Sequence, residues 1–106
     1  MIDLDRITGF EWDVGNARKS HDKHAVTQRE AEQVFFRSPL FLVEDVKLGQ
    51  RELRIHAYGV TDEGRRLHVT FTLRGRGTLI RVISARDMSA RERTWHASQS
   101  TDDEDA

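Results

Sequence analysis

Between Leu53 and Leu73 apolar and polar residues alternate over two successive stretches. Leu53, Ile55 and Ala57 interleave with Arg54, His56 and Tyr58. Beyond the polar turn Thr61-Asp62-Glu63-Gly64, Leu67, Val69, Phe71 and Leu73 interleave with Arg66, His68, Thr70 and Thr72. A period of two sends one set to each face of a strand. The stretches therefore predict neighbouring strands with one apolar face and one face carrying arginine, histidine and tyrosine. Leu40–Val46 predicts a strand before them, followed by a loop at Lys47-Leu48-Gly49-Gln50. Arg74-Gly75-Arg76-Gly77 reads as a second turn, and Thr78–Ala85, the most continuously apolar segment, as a strand in the middle of the sheet. Short turns between alternating strands mean an antiparallel meander of four strands.

The flanking segments change period. Thr27 and Glu30 form a T-x-x-E capping box that opens a helix over Gln28–Phe36, with Ala31, Val34 and Phe35 on one face, and Ser38-Pro39 stops it. Residues 15–24 are polar and predict a shorter helix; Phe10-Glu11-Trp12-Asp13 predicts a short edge strand. Ser89 and Glu92 form a second box, opening a helix to about Ser98 on which Arg91 and Trp95 share a face. The expected class is α+β: a four-stranded antiparallel sheet with N-terminal helices and a C-terminal helix, all packed on one side. Residues 1–98 form one domain, and 99–106 an acidic, disordered tail.

Composition narrows the function. A chain of 106 residues supports one modest core. With no cysteine there is neither a disulfide framework nor a cysteine–zinc site. No apolar run approaches a membrane span and no signal-peptide core is present, so the expectation is a soluble, cytoplasmic protein with no membrane partner. The net charge of −1 conceals two blocks: four acids in residues 101–106, and eight arginines against Asp87 and Glu92 in residues 65–96, a local +6. Arg81, Arg86, Arg91 and Arg93 crowd the last strand–helix junction. Guanidinium forks match phosphate oxygens, which points to a polyanion such as RNA; Asp87 and Glu92 equally allow an ordinary solvated face.

Other candidates have two readings each. Lys23 and His24 offer a phosphate-binding cation and an imidazole that moves protons near neutrality, or simply basic side chains that stabilise a helix C-terminus. Arg54, His56 and Tyr58 with Arg66, His68 and Thr70 form a face able to grip phosphates and stack a base, or a solvated sheet face. Trp12 and Trp95 read as core or partner contacts. His21 and His24 lack further metal ligands, and no Gly-rich phosphate loop or nucleophile elbow occurs, so neither a metal nor a cofactor is expected.

Three segments together carry a family resemblance: Phe10-Glu11-Trp12-Asp13; Lys23-His24 followed by Val26; and Arg81-Val82-Ile83-Ser84-Ala85-Arg86 with Arg91-Glu92-Arg93. In order and spacing, across residues 9–96, they resemble the BrnT family of type II toxins. The family commonly has lysine and asparagine where this chain has Asn16 and Ser20, and glycine where it has Ala25. The resemblance implies a RelE-like fold and a metal-independent RNA endonuclease that inhibits translation. It also implies a BrnA-type antitoxin, with operator DNA reached only through that complex. The implied cleavage proceeds by attack of the ribose 2′-OH. Arg81 and Arg86, helped by Arg54 or Arg66, would stabilise the transition state. His24 would move protons and Lys23 hold phosphate, with His56 and Tyr58 in reserve and Arg91 and Arg93 binding substrate. The alternative is a non-catalytic module that holds RNA or a partner on the basic sheet face.

Overall fold

The computed structural model describes residues 2–46 and 52–105, with side chains other than those of 19–23 and 100–105. The loop expected at Lys47–Gln50 therefore lies outside the described residues. The strands are β1 (Gly9–Phe10), β2 (Phe41–Asp45), β3 (Arg54–Val60), β4 (Arg66–Arg74) and β5 (Leu79–Asp87); the helices are α1 (Val14–His24), α2 (Gln28–Gln33) and α3 (Ala90–Asp105). The antiparallel meander β2-β3-β4-β5 is present as its alternation predicts.

Two expectations need correction. The sheet has five strands and is mixed, in the order β1-β5-β4-β3-β2, because β1 pairs parallel with β5 at the edge. The short edge strand expected over Phe10–Asp13 is confined to Gly9–Phe10, and β5 is thereby flanked while β4 becomes the central strand. The helices also do not share one side. Val26, Ala31 and Val34, from the α1–α2 segment, are buried with Ile55, Ala57, Leu67, Val69, Phe71, Val82 and Ala85 in one core. On the opposite face α3 packs by Trp95 on Phe41 and Tyr58, and by the buried His96 on Phe41.

Local chemistry explains the elements. The Thr27–Glu30 box forms in full, and α2 tightens into a 3-10 turn over Val34–Phe36. The Ser89–Glu92 box also forms, with Ser89 N donating to Glu92 Oε1 at 2.8 Å and Glu92 N to Ser89 Oγ at 3.2 Å. The α3 helix runs to Asp105, beyond the expected Ser98. Gly59 lets β3 meet the helical layer: a Cβ there would lie 3.1 Å from Val34 Cβ and 3.2 Å from Leu40 Cδ1.

A register shift shapes the site. Thr70 pairs with Ser84 while the next residue, Phe71, pairs with Val82, so Ile83 is an extra residue in β5. Without the bulge, Val82 and Ala85 would face opposite ways. With it, both reach the core, and Arg81 and Arg86 come to the other face together.

Candidate active site on the polar face of the sheet

The strand register sets out the polar face as rows. Phe41, Tyr58, His68 and Arg86 lie side by side across β2, β3, β4 and β5; Val43, His56, Thr70 and Ser84 form the next row, and Asp45 and Arg54 the one beyond. Arg66 precedes His68 by two residues on β4. The start of α3 brings Arg91, Glu92 and Trp95 over the first rows.

Within this grid the two histidines touch. His56 Nδ1 lies 2.8 Å from His68 Nε2 and 3.0 Å from Thr70 Oγ1, and His56 Nε2 lies 3.3 Å from Asp45 Oδ2. His68 stacks on Tyr58 with ring centres 4.6 Å apart and planes at 13°. His68 Nδ1 is buried and makes no hydrogen bond, its neighbouring carboxylate oxygen being Glu92 Oε2 at 3.4 Å. Burial pushes the His68 imidazole down to about 4, with Arg86 acting in the same direction. Burial likewise raises the Tyr58 phenol, which keeps it a hydrogen-bond donor.

Arg86 is oriented by Glu92 in a bidentate pair, NH1 to Oε1 at 2.8 Å and NH2 to Oε2 at 3.0 Å, while NH1 also donates to Asp87 O at 3.0 Å. The Arg86 hydrogen bonds, with that from Ser89 N, hold Glu92 at about 2, well below the usual carboxylate range. Glu92 thus caps α3 and fixes Arg86 at once. Arg81 stands at another margin of the same face, donating from NH1 to Glu11 at 3.0 Å and from NH2 to Asp13 at 2.8 Å. Among the described residues, the side chains of Arg54, Arg66 and Arg91 make no ion pair. Arg93 donates to Met88 O at 2.9 Å. An open, mostly apolar cavity of about 410 Å³, lined by Val43, Tyr58, Arg91, Glu92 and Trp95, lies next to the histidines.

The Lys23–His24 pair is placed elsewhere. Arg65 joins that loop to the sheet, bonding His24 O at 3.2 Å, Ala25 O at 2.9 Å, Glu30 at 3.1 Å and both oxygens of Asp87 at 2.7 and 3.0 Å. Asp87 follows Arg86 on β5 and so points to the α1–α2 side, where His24 lies close enough to lower its pKa further. The side chain of Lys23 lies outside those described. Ala25 takes the left-handed conformation, φ 53°, that a glycine adopts without strain. Asn16 is buried, its amide donating to Glu11 O at 3.2 Å and Val82 O at 3.1 Å, and so ties α1 to β5.

The family model for the BrnT ribonuclease toxin of type II toxin–antitoxin systems matches residues 12–92. The chain belongs to this family. The match runs from Trp12 to Glu92 and so includes both the His56–His68 pair and the Arg86–Glu92 pair. Among curated proteins, no match is found. Family membership makes the protein a ribonuclease toxin with an RNA substrate and an antitoxin partner. Among the described residues, no helix is long and apolar enough to cross a membrane.

The structure therefore brings together His56, Tyr58 and Arg86 of the expected residues, with Arg54, Arg66 and Arg91 around them. Sequence reasoning passed over four contributors. Asp45 and Val43 sit on a strand with no clean alternation. His68 was read as a member of the polar face only, although its parity with His56 was the available signal. Glu92 was read as a helix cap and as a counter-charge on a solvated face, because its bond to Arg86 depends on how α3 turns back over the sheet.

Proposed function

We propose that this toxin cuts RNA on the polar, α3-side face of the sheet, without a metal ion, and thereby inhibits translation in the cytoplasm until a BrnA-type antitoxin covers that face. The same reading takes the five-stranded sheet as an elaboration of a RelE-like fold. The observation that carries it is the joining of His56, His68, Tyr58 and Arg86 within one face rimmed by Arg54, Arg66 and Arg91.

In this mechanism the ribose 2′-oxygen bonds to phosphorus as the bond from phosphorus to the 5′-oxygen breaks, leaving a cyclic phosphate. The 2′ proton leaves to solvent at the open edge of the face. His56 Nε2–H supplies a proton to the departing 5′-oxygen and is reloaded from solvent. Arg86, already oriented by Glu92, places its remaining N–H groups against the charge that grows on the phosphoryl oxygens. Tyr58 donates a hydrogen bond from beside it. Arg54, Arg66 and Arg91 hold the flanking phosphates, and an unpaired base enters the cavity between Val43 and Trp95, where aromatic contact accepts any base. Arg81 supports this face by fixing the segment Glu11–Asp13 against β5.

The test is incubation of a labelled single-stranded RNA with purified protein in EDTA, with the product ends identified. Cutting with cyclic-phosphate ends is expected. Salt-sensitive RNA binding with no cutting would replace the ribonuclease reading with that of a binding module.

A further inference from the structure

Arg65 gives out every hydrogen bond it has. Its Nε and NH2 donate to the two carboxylate oxygens of Asp87 at 2.7 and 3.0 Å. NH1 donates to Ala25 O at 2.9 Å and Glu30 Oε2 at 3.1 Å, and NH2 also donates to His24 O at 3.2 Å. A guanidinium carries five N–H groups, and these are five acceptors. Around the left-handed Ala25, two successive carbonyls reach the same cation. A saturated fork of this kind is held in one conformation. A lysine, with three donors and no plane, does not reproduce it. Only 27% of the Arg65 side chain is exposed.

Asp87 ends β5 opposite Leu67, and just beyond it Met88 N donates to Arg66 O at 3.0 Å. The extra residue Ile83 lies upstream, so alternation from Val82 does not by itself decide which way the strand end faces. In a straight register that kept Phe71 opposite Val82, Arg86 would stand opposite Leu67 and turn to the buried side, and Asp87 would turn away from Arg65. The Arg65–Asp87 pair fits the bulged register, in which Arg86 lies beside His68. We infer that Arg65 is a positioning residue for Arg86: by gripping Asp87 from the α1–α2 side, it fixes the end of β5 so that the neighbouring Arg86 presents its guanidinium on the opposite, α3-side face. This rests on, and deepens, the proposed cleavage site. Asp87 O also accepts from Arg86 NH1 at 3.0 Å, so one residue is tied to both arginines. The segment at His24 and Ala25 takes part through its backbone carbonyls, which complete the hold on Arg65, and not through an imidazole that reaches the cleavage face.

Nitrogen-15 spectra of the arginine side chains test this hold without reference to activity. In the parent the bidentate pair with Glu92 keeps the Arg86 NH1 and NH2 signals apart. In Arg65→Lys and in Asp87→Asn they are expected to merge. The Asp87 side chain is 62% exposed, so Asp87→Asn keeps the fold even if Arg65→Lys does not. Each folded variant is expected to lower kcat for RNA by about tenfold to a hundredfold with KM unchanged, and the double variant to lose no more than either alone. Glu30→Gln removes the other carboxylate partner; it lowers Tm and leaves kcat per folded molecule in place. Arg86 signals that stay apart in folded Asp87→Asn, with kcat unchanged, would overturn the positioning role. So would an equal loss of kcat in Glu30→Gln, which would make Arg65 a purely structural tie. Signals that merge in the variants of a protein that cuts no RNA would uphold the hold on Arg86 and remove the ribonuclease reading instead.

Discussion

On the α1–α2 side of the sheet, Ile55, Ala57, Leu67, Val69, Phe71, Val82 and Ala85 are buried under Val26, Ala31 and Val34. On the α3 side, the residues that alternate with them are His56, Tyr58, His68, Thr70 and Arg86, and a short contact through Trp95 and Phe41 leaves part of that face open. The same strands serve both sides, and the contrast shows how labour is divided. The buried side fixes strand positions through close packing, which tolerates little change of volume. The open side inherits that rigidity and spends it on polar groups that need partners. Its histidines, carboxylates and guanidinium are held by one another, and the face proposed for the chemistry rests on the packed layer behind it.

Substitutions on each side separate these roles. The largest effect on stability is expected from Phe71→Ala, since Phe71 is fully buried and meets Phe35 edge-on at 5.1 Å. A loss of about 3–5 kcal/mol in urea unfolding is expected, with cutting per folded molecule unchanged at low temperature. Arg86→Gln is expected to do the opposite. Cleavage falls by about a hundredfold or more, while urea unfolding shows a smaller loss, because Glu92 keeps its place in the Ser89 box.

Acid should weaken the α3 side first. His68 is depressed to about 4 in the fold, so the unfolded chain binds its proton first as pH falls below the ordinary imidazole range. Stability is therefore lost between about pH 6.5 and 4, by about 3 kcal/mol at most. Glu92, held at about 2, contributes stability above its ordinary range that disappears between about pH 4.5 and 2. Urea unfolding at pH 7, 5.5 and 4 checks this. A His68→Gln variant with an equally steep loss over that range would contradict the assignment. The smallest effect is expected at Ala25→Gly on the opposite side: relief of the left-handed strain against a more flexible unfolded chain leaves a gain of at most about 1 kcal/mol, read as a small rise in Tm.

Much of this arrangement was legible in the sequence and part of it was not. The meander followed from two clean alternations and two polar turns, and both capping boxes formed as spaced. The short edge strand was expected at Phe10–Asp13, but its place as a fifth, parallel strand was missed because Gly9–Phe10 joins the sheet by pairing with Leu79–Ile80, seventy residues away. The placing of α3 opposite α1 and α2 was missed because its apolar contacts are few: Trp95 and His96 on Phe41 and Tyr58. Arginines 81 and 86 are an odd number of residues apart, so simple alternation separates them; the bulge at Ile83 reunites them. His24 was proposed from its imidazole chemistry and the Lys23-His24 match, and Arg65 anchors its loop on the α1–α2 side of the sheet, away from the histidines.

The claim that cleavage belongs to the α3 side is tested most directly by comparing three proteins on one labelled RNA in EDTA: the parent, His56→Gln, and the double variant Lys23→Ala/His24→Ala. The account predicts that His56→Gln loses about a hundredfold or more in rate and that the double variant stays within a few-fold of the parent. Near-parent cutting by folded His56→Gln, with activity abolished in the double variant, would place the chemistry on the other side of the sheet.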